Sequence, residues 1–377
     1  MNANPPRAFR YLRRETLVST ETPAELEWLR DCLAPHFRET PAGNGDWRVA
    51  FSTDSVRFGE IMSRRRHPRQ ETLPFFALDS QLVSLPRWNA DDEHETLAFD
   101  EEFDVFFSVR RDRHEVDVLA REPRPWTRVA LLRVVRELAM EEGVEGGRVF
   151  LHAAAFEHDG VVYVIAGPKY GGKTSLLIHA LTSGEAQFVA NDRVLLDHCA
   201  DGCVVRGMPT LVNVRAETRR FFERFFEPHA FGPDSGCLTR DEHNVERQRG
   251  VTRRDEALIL NPRQFADALG TAASTGGRLG AILFPVVSAA VDGCEIDELT
   301  PAETRPLLAA ALFPTLARYG KPTAFGSHRP DASIEEALPS RIEAQRIPLL
   351  RCALGLRAYD DRASMLLDAL RTRVDAR

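Results

Sequence analysis

The chain of 377 residues carries a formal charge of −7 with 43% apolar and 28% charged residues, which fits a globular protein with one large or two moderate cores. That charge argues against a protein that coats nucleic acid, and no run approaches the ~20 apolar residues of a membrane span, so neither is an expected partner. The opening Met-Asn-Ala-Asn-Pro-Pro-Arg lacks the apolar run of a secretory leader, which makes the cytoplasm the expected compartment and reduced thiols the expected state of the six cysteines.

Residues 1–125 read as an N-terminal α+β accessory or recognition region. After Thr22-Pro23, Leu26, Leu29 and Leu33 recur at helical spacing and predict a short amphipathic helix over Ala24–Leu33. Phe75–Leu78, Leu82–Leu85 and Val105–Val109 are apolar runs of strand length, broken by Pro86 and by Asp91-Asp92-Glu93. Arginine clusters such as Arg64–Arg66 and Arg110-Arg111 have acidic residues nearby in sequence and read as solvated surface.

Residues 126–377 read as a second domain of mixed α/β class. Past Pro125, a helix carries Val129, Leu132, Val135 and Leu138 near one face, with Arg133, Arg136, Glu137 and Glu141 elsewhere, and fades at Gly143. Val149–Phe156 and Val161–Ala166 follow as central strands of a hairpin turned by His158-Asp159-Gly160.

The second strand runs into Gly167-Pro168-Lys169-Tyr170-Gly171-Gly172-Lys173-Thr174, the pattern G-x-x-x-x-G-K-T between an apolar strand and a helix. Glycines let backbone N–H groups converge on phosphate oxygens, and a helix starting near Lys173 adds its first-turn N–H groups. Gly167, Gly171, Gly172, Lys173, Thr174 and Ser175 are the expected nucleotide-binding residues. Lys173 would reach the β- and γ-phosphates and Thr174 would complete a magnesium shell. Tyr170 is placed to cover the phosphates or a base. Leu176, Leu177, Ala180 and Leu181 form the buried face of a helix ending near Gly184.

Gln187–Ala190 is a short strand ending in Asn191-Asp192. A carboxylate at a neighbouring strand end can hold magnesium or take a proton from an incoming hydroxyl, so Asp192 is the leading catalytic and metal candidate, with Asn191 as a neutral ligand. The alternative for Asp192 is a turn aspartate capping local backbone. His152, in the first hairpin strand, would donate to a phosphate or the acceptor, or would be a buried histidine bound to backbone. Cys199 and Cys203 have a spacing zinc accepts, but no second close pair completes a site. Arg206, followed by Gly207-Met208-Pro209, is the preferred phosphoryl clamp; Arg215 and Arg219 are alternatives to it or solvated helix residues.

These islands resemble the HPr kinase/phosphorylase family, whose nucleotide fold is shared with phosphoenolpyruvate carboxykinase. The resemblance rests on Leu151-His152-Ala153-Ala154-Ala155, on Gly167–Thr174, on Val189 to Leu196 and on Arg206-Gly207-Met208-Pro209, in that order. It extends to Leu279–Phe284 as a late strand and to Ala363–Ala369 as a closing helix. It implies a phosphate-loop core of that family with an added N-terminal α+β region, Lys173 on the nucleotide phosphates, Thr174 on Mg2+, and His152 near the reacting phosphate. The family shows two consecutive acids where this chain has Asn191-Asp192, so the second acid is kept and the first is an amide. The stretch that engages HPr has no counterpart, which suits a divergent member rather than a true HPr kinase.

Further on, Phe221, Phe222, Phe225 and Phe226 predict an amphipathic helix over Arg219–Pro228 that packs on the core or docks a partner peptide, and Ala230–Arg254 reads as a long loop, a candidate lid or acceptor-binding segment or simply disordered chain. Thr271–Gly277 reads as a flexible connection, Pro301 opens a helix, and Lys321 and His328 lie in a loop without an assigned role. The leading expectation is a kinase using ATP or GTP and Mg2+ to phosphorylate a protein, peptide or small-molecule hydroxyl. A nucleotide-binding regulator with little transfer is the second, an ordinary phosphate-loop ATPase or GTPase the third. Self-association is left open.

Overall fold

The computed structural model describes residues 5–63, 72–76, 82–227, 238–239, 258–313, 325, 332–355 and 363–375, apart from single positions 42, 44, 89, 91, 102, 125, 169, 200, 201, 289, 290 and 292. The loop expected over Ala230–Arg254, together with Lys321 and His328, lies outside the described residues except for Leu238 and Thr239. The fold is mixed α/β. The chain divides into two compact units, the first holding residues 1–147 and the second opening at Arg148. The helix expected to open the second domain therefore belongs to the first unit.

In the first unit a sheet is ordered β3-β1-β2-β4-β9-β8-β7-β6-β5. Its strands are β1 (Arg7–Tyr11), β2 (Arg14–Thr20), β3 (Arg38–Thr40), β4 (Trp47–Thr53), β5 (Thr72–Phe76), β6 (Leu82–Trp88), β7 (Glu95–Asp100), β8 (Val105–Arg110) and β9 (Glu115–Ala120). Helix α1 (Pro23–Leu33) starts on a proline at its first position and buries Leu26, Leu29 and Leu33 as the spacing requires. Helix α2 (Ser55–Ser63) sets Phe58 into an aromatic cluster with Trp88, Phe99 and Phe106. Helix α3 (Thr127–Glu145) overruns the expected stop at Gly143 and is buried almost all round. Its charged residues Arg133, Arg136, Glu137 and Glu141 are buried as well. Arg133 forms an ion pair with Asp100 and lies over the Phe103 ring, while Arg13 holds Glu142 at 3.1 Å. A buried charge is tolerated only when paired in this way.

The second unit begins with β10 (Val149–Leu151), β11 (Ala153–His158), β12 (Val161–Ala166), α4 (Lys173–Leu181), β13 (Gln187–Ala190), β14 (Arg193–Cys199) and β15 (Gly202–Met208). Next come β16 (Val212–Val214), α5 (Ala216–Phe221), α6 (Glu223–Phe226), β17 (Leu238–Thr239), β18 (Leu258–Leu260), α7 (Pro262–Ala268) and β19 (Gly276–Ser288). It closes with β20 (Cys294–Glu298), α8 (Pro301–Ala311), α9 (Ala332–Glu336), α10 (Leu338–Ala344), β21 (Leu349–Gly355) and α11 (Ala363–Asp375).

The main sheet is ordered β10-β14-β15-β19-β12-β11-β13, with β21 beside β19 and β20 outside it. His158 pairs with Val161, so the β11–β12 turn holds two residues, Asp159 and Gly160, both at positive φ as a tight hairpin requires. Alternation then sorts the core. Tyr163 and Ile165 face α4 and α11, while Val162, Val164 and Ala166 face α8 and α10.

Three expectations change here. The strand expected over Val149–Phe156 breaks at His152, because the His152 N–H donates to Ala311 and that of Ala153 to Asp192. The connection expected over Thr271–Gly277 is ordered: Phe188 donates to Ala272, Ser274 donates back to Phe188, and β19 starts at Gly276. A Cβ at Gly276 would meet the Val205 carbonyl at 2.0 Å, so the close approach of β15 needs a glycine. The phenylalanine helix is two short turns, α5 and α6, with Phe222 and Phe226 buried and Phe221 exposed.

Candidate functional site

Strands β12, β19 and β21 run parallel, and in α/β sheets ligands lie beyond the carboxyl ends of such strands. Beyond Ala166 the chain turns through Gly167, with Gly171 donating to the Pro168 carbonyl at 3.1 Å, and enters α4 at Lys173. Gly172 caps this helix without a side chain, leaving the first-turn N–H groups unmatched within the helix. Its φ is 90°, and an added Cβ would stand 2.7 Å from the Val287 side chain, so the loop packs on the end of β19 only with glycine there.

Lys173 curls back over the loop. Its Nζ donates to the carbonyls of Gly167 at 2.9 Å and Pro168 at 3.1 Å. Burial pushes the ammonium pKa below the ordinary lysine value, and the Asp192 charge opposes that shift. A half-buried ammonium next to first-turn helix N–H groups places several hydrogen-bond donors at one point, the kind of arrangement that can hold an anion.

Four of the predicted side chains meet beside it. Thr174 Oγ1 donates to Asn191 Oδ1 at 3.3 Å, and His152 Nδ1 lies 3.1 Å from Asp192 Oδ1. The break between β10 and β11 carries His152 to the loop end of the sheet, since Ala153 pairs with Ala166. The step between β13 and β14 brings Asn191-Asp192 to the same end through the Ala155–Ala190 pair. Ser175 sits in the first turn of α4, partly exposed.

The preferred arginine is not part of this group. Arg206 is exposed on β15, opposite Leu195 and Gly276, and forms no ion pair among the described residues. Arg215, which precedes α5, stands over the loop instead, its guanidinium 4.0 Å from the Tyr170 ring centre. Tyr170 is 77% exposed and holds φ at 69°, a conformation most side chains avoid.

Arg193 has no role in the sequence reading. It is fully buried, its Nε lies 3.3 Å from Asp192 Oδ2, and its guanidinium stacks 4.3 Å from the Phe313 ring centre. Asp192 is thus held from two sides. The only sequence signal was adjacency to Asp192, because Phe313 is remote in the chain.

The donor set of a threonine hydroxyl, an amide oxygen and a carboxylate is hard and oxygen-rich, which suits magnesium shared with phosphates. Among the described residues no group of three or more His, Cys, Asp or Glu gathers into a metal cage, and the Cys199 side chain lies outside them. Two cavities of about 150 and 200 Å³ lie elsewhere, one beside Arg57 and Phe106, the other beside Pro301 and Glu343. No helix among the described residues is long and apolar enough to cross a membrane. The fold and site define a mixed α/β protein with a strand–glycine loop–helix turn flanked by a His–Asp pair. No family model matches the chain, and no curated protein matches it.

Proposed function

We propose that this protein is an ATP- and magnesium-dependent phosphotransferase acting on a hydroxyl of a protein, peptide or small molecule, built on a phosphate-loop core like that of HPr kinase and phosphoenolpyruvate carboxykinase. One observation carries the reading: Thr174 and the His152–Asp192 pair converge on the helix start that Gly171, Gly172 and Lys173 open. A nucleotide bound there supplies the transferable phosphoryl group.

The protein's own residues do the rest. The first-turn N–H groups of α4 and Lys173 hold the polyanion, and Lys173 leaves its two carbonyl partners to do so. Thr174, Asn191 and Asp192 offer oxygens to the ion. Asp192, oriented by His152 and Arg193, accepts the proton of the incoming hydroxyl. Arg215 neutralises developing charge from above the loop. Placement and electrostatics, rather than a covalent intermediate, account for the rate.

The test is calorimetric titration with Mg·ATP and Mg·GTP, followed by incubation with γ-labelled nucleotide and candidate acceptors. The reading expects binding by the wild type, none by Lys173→Ala, and label on an acceptor hydroxyl. Equal affinity in both proteins would overturn it.

A second reading, a nucleotide-binding regulator, is favoured by the engagement of both Asp192 oxygens, one by His152 and one by Arg193. Binding with neither transfer nor hydrolysis under any acceptor condition would select it.

A further inference from the structure

We propose that Cys294 and Cys352 form an oxidisable dithiol which a peroxide closes to a disulfide, and that this bond acts on the glycine loop through Pro285. The two Sγ atoms stand 3.7 Å apart on the antiparallel pair β20–β21, where Cys352 pairs with Ile296 and Cys294 with Leu354. Cys352 is fully buried, and Cys294 is partly exposed at the rim of the same core. One thiol therefore meets solvent and the other waits behind it.

The electronic arrangement suits this division. The contact with Cys352 holds the Cys294 thiol below its ordinary range, while the same contact and burial push the Cys352 thiol up. The Cys294 sulfur attacks one peroxide oxygen, the O–O bond breaks, and a first water leaves a sulfenic acid. The Cys352 sulfur then attacks that sulfur, the S–O bond breaks, and a second water departs. Two thiols lose two hydrogens and two electrons, and one hydrogen peroxide becomes two waters.

Closure must bring the sulfurs from 3.7 Å to about 2.05 Å. The core around Cys352 is close-packed, so that displacement passes to its neighbours. Across the strand pair, Cys352 faces Pro285 of β19. Pro285 in turn lies beside the glycine loop: a Cβ added at Gly167 would stand 3.7 Å from its Cδ, and one added at Gly172 would stand 3.9 Å from its Cβ. The dithiol is one strand behind the glycine loop.

The test treats the full chain with one equivalent of hydrogen peroxide. It reads intact mass, alkylation with peptide mapping, and hydrogen exchange over Gly167–Ser175. The expected results are a loss of two hydrogens, a linked Cys294–Cys352 peptide reversed by dithiothreitol, and loop exchange altered about twofold or more. Cys294→Ser should abolish all three, and Cys352→Ala serves if the first variant misfolds. Separate oxidation or alkylation of both thiols would overturn the proposal, as would a linked peptide with unchanged loop exchange. A parallel Mg·ATP titration rests on the phosphotransferase reading and expects affinity to fall about fivefold on oxidation. Absence of binding in the reduced protein would count against that reading, while mass and exchange still judge the dithiol.

Discussion

His152 Nδ1 lies 3.1 Å from Asp192 Oδ1, and the opposite carboxylate oxygen lies 3.3 Å from Arg193 Nε. The carboxylate is gripped by an imidazole at the loop and a buried guanidinium behind it. Asp192→Asn removes the charge from both contacts. Turnover of Mg·ATP should fall by about 100-fold or more if Asp192 takes the acceptor proton. The fold should lose on the order of 3 kcal/mol in urea unfolding, because Arg193 keeps its buried charge without the carboxylate. Adding Arg193→Met should restore much of that stability, the non-additivity expected of contacting residues. A single variant as active and as stable as the wild type would refute the role.

In the proposed function, Lys173 supplies the positive charge that holds the nucleotide phosphates. Lys173→Met should weaken Mg·ATP binding about 100-fold, the loss of a charge-assisted phosphate contact, while leaving the melting temperature within a few degrees. Burial lowers the pKa of this ammonium, so it loses its proton below the free lysine value of 10.5. Nucleotide affinity should therefore decline as pH rises from neutrality toward that value. Lys173→Arg, always protonated, should flatten the decline. Calorimetry at several alkaline pH values checks both, and parallel slopes would contradict the assignment.

Arg215 and Arg206 make opposite predictions. Arg215 stands on Tyr170 above the loop, whereas Arg206 is exposed on β15 with no ion pair among the described residues. Arg215→Ala should reduce turnover about 10- to 1,000-fold with little change in stability. Arg206→Ala should stay within about twofold of wild type, as an exposed substitution does. The reverse order in initial rates would restore the sequence-based choice.

His179, fully buried in α4, has its pKa lowered by burial to about 4 from the ordinary 6.5. Between those values the unfolded chain binds a proton that the folded chain refuses. Stability from this group is complete above pH 6.5 and falls as pH drops toward 4, by up to about 3 kcal/mol. His179→Leu should remove that part of the acid slope. Urea unfolding at pH 7.5 and 4.5 reads the difference, and identical slopes in both proteins would exclude it.

Much of the second unit was legible because its signals are local. The loop Gly167–Thr174 is written in consecutive residues, and the turn at Asp159-Gly160 needs only its own dihedral angles. The same holds for α1, whose leucines repeat at one helical period. Where contacts cross the chain, legibility ended. Nothing in the order of residues told that His152 would leave its strand, because the carbonyl it binds belongs to Ala311. Nor did the flexible composition of Thr271–Gly277 reveal that it would lie along Phe188.

The sequence by itself determined that a glycine turn would join a strand to a helix, with Lys173 and Thr174 at the helix start, since backbone sterics and the order of residue types suffice for that. Only the tertiary structure decided which groups surround the turn. It chose Arg215 over Arg206, gave Asp192 a guanidinium backing, and set Cys294 against Cys352. Those choices depend on strand order and register, which are fixed by burying both faces of a sheet at once, and no short window of the chain contains that balance.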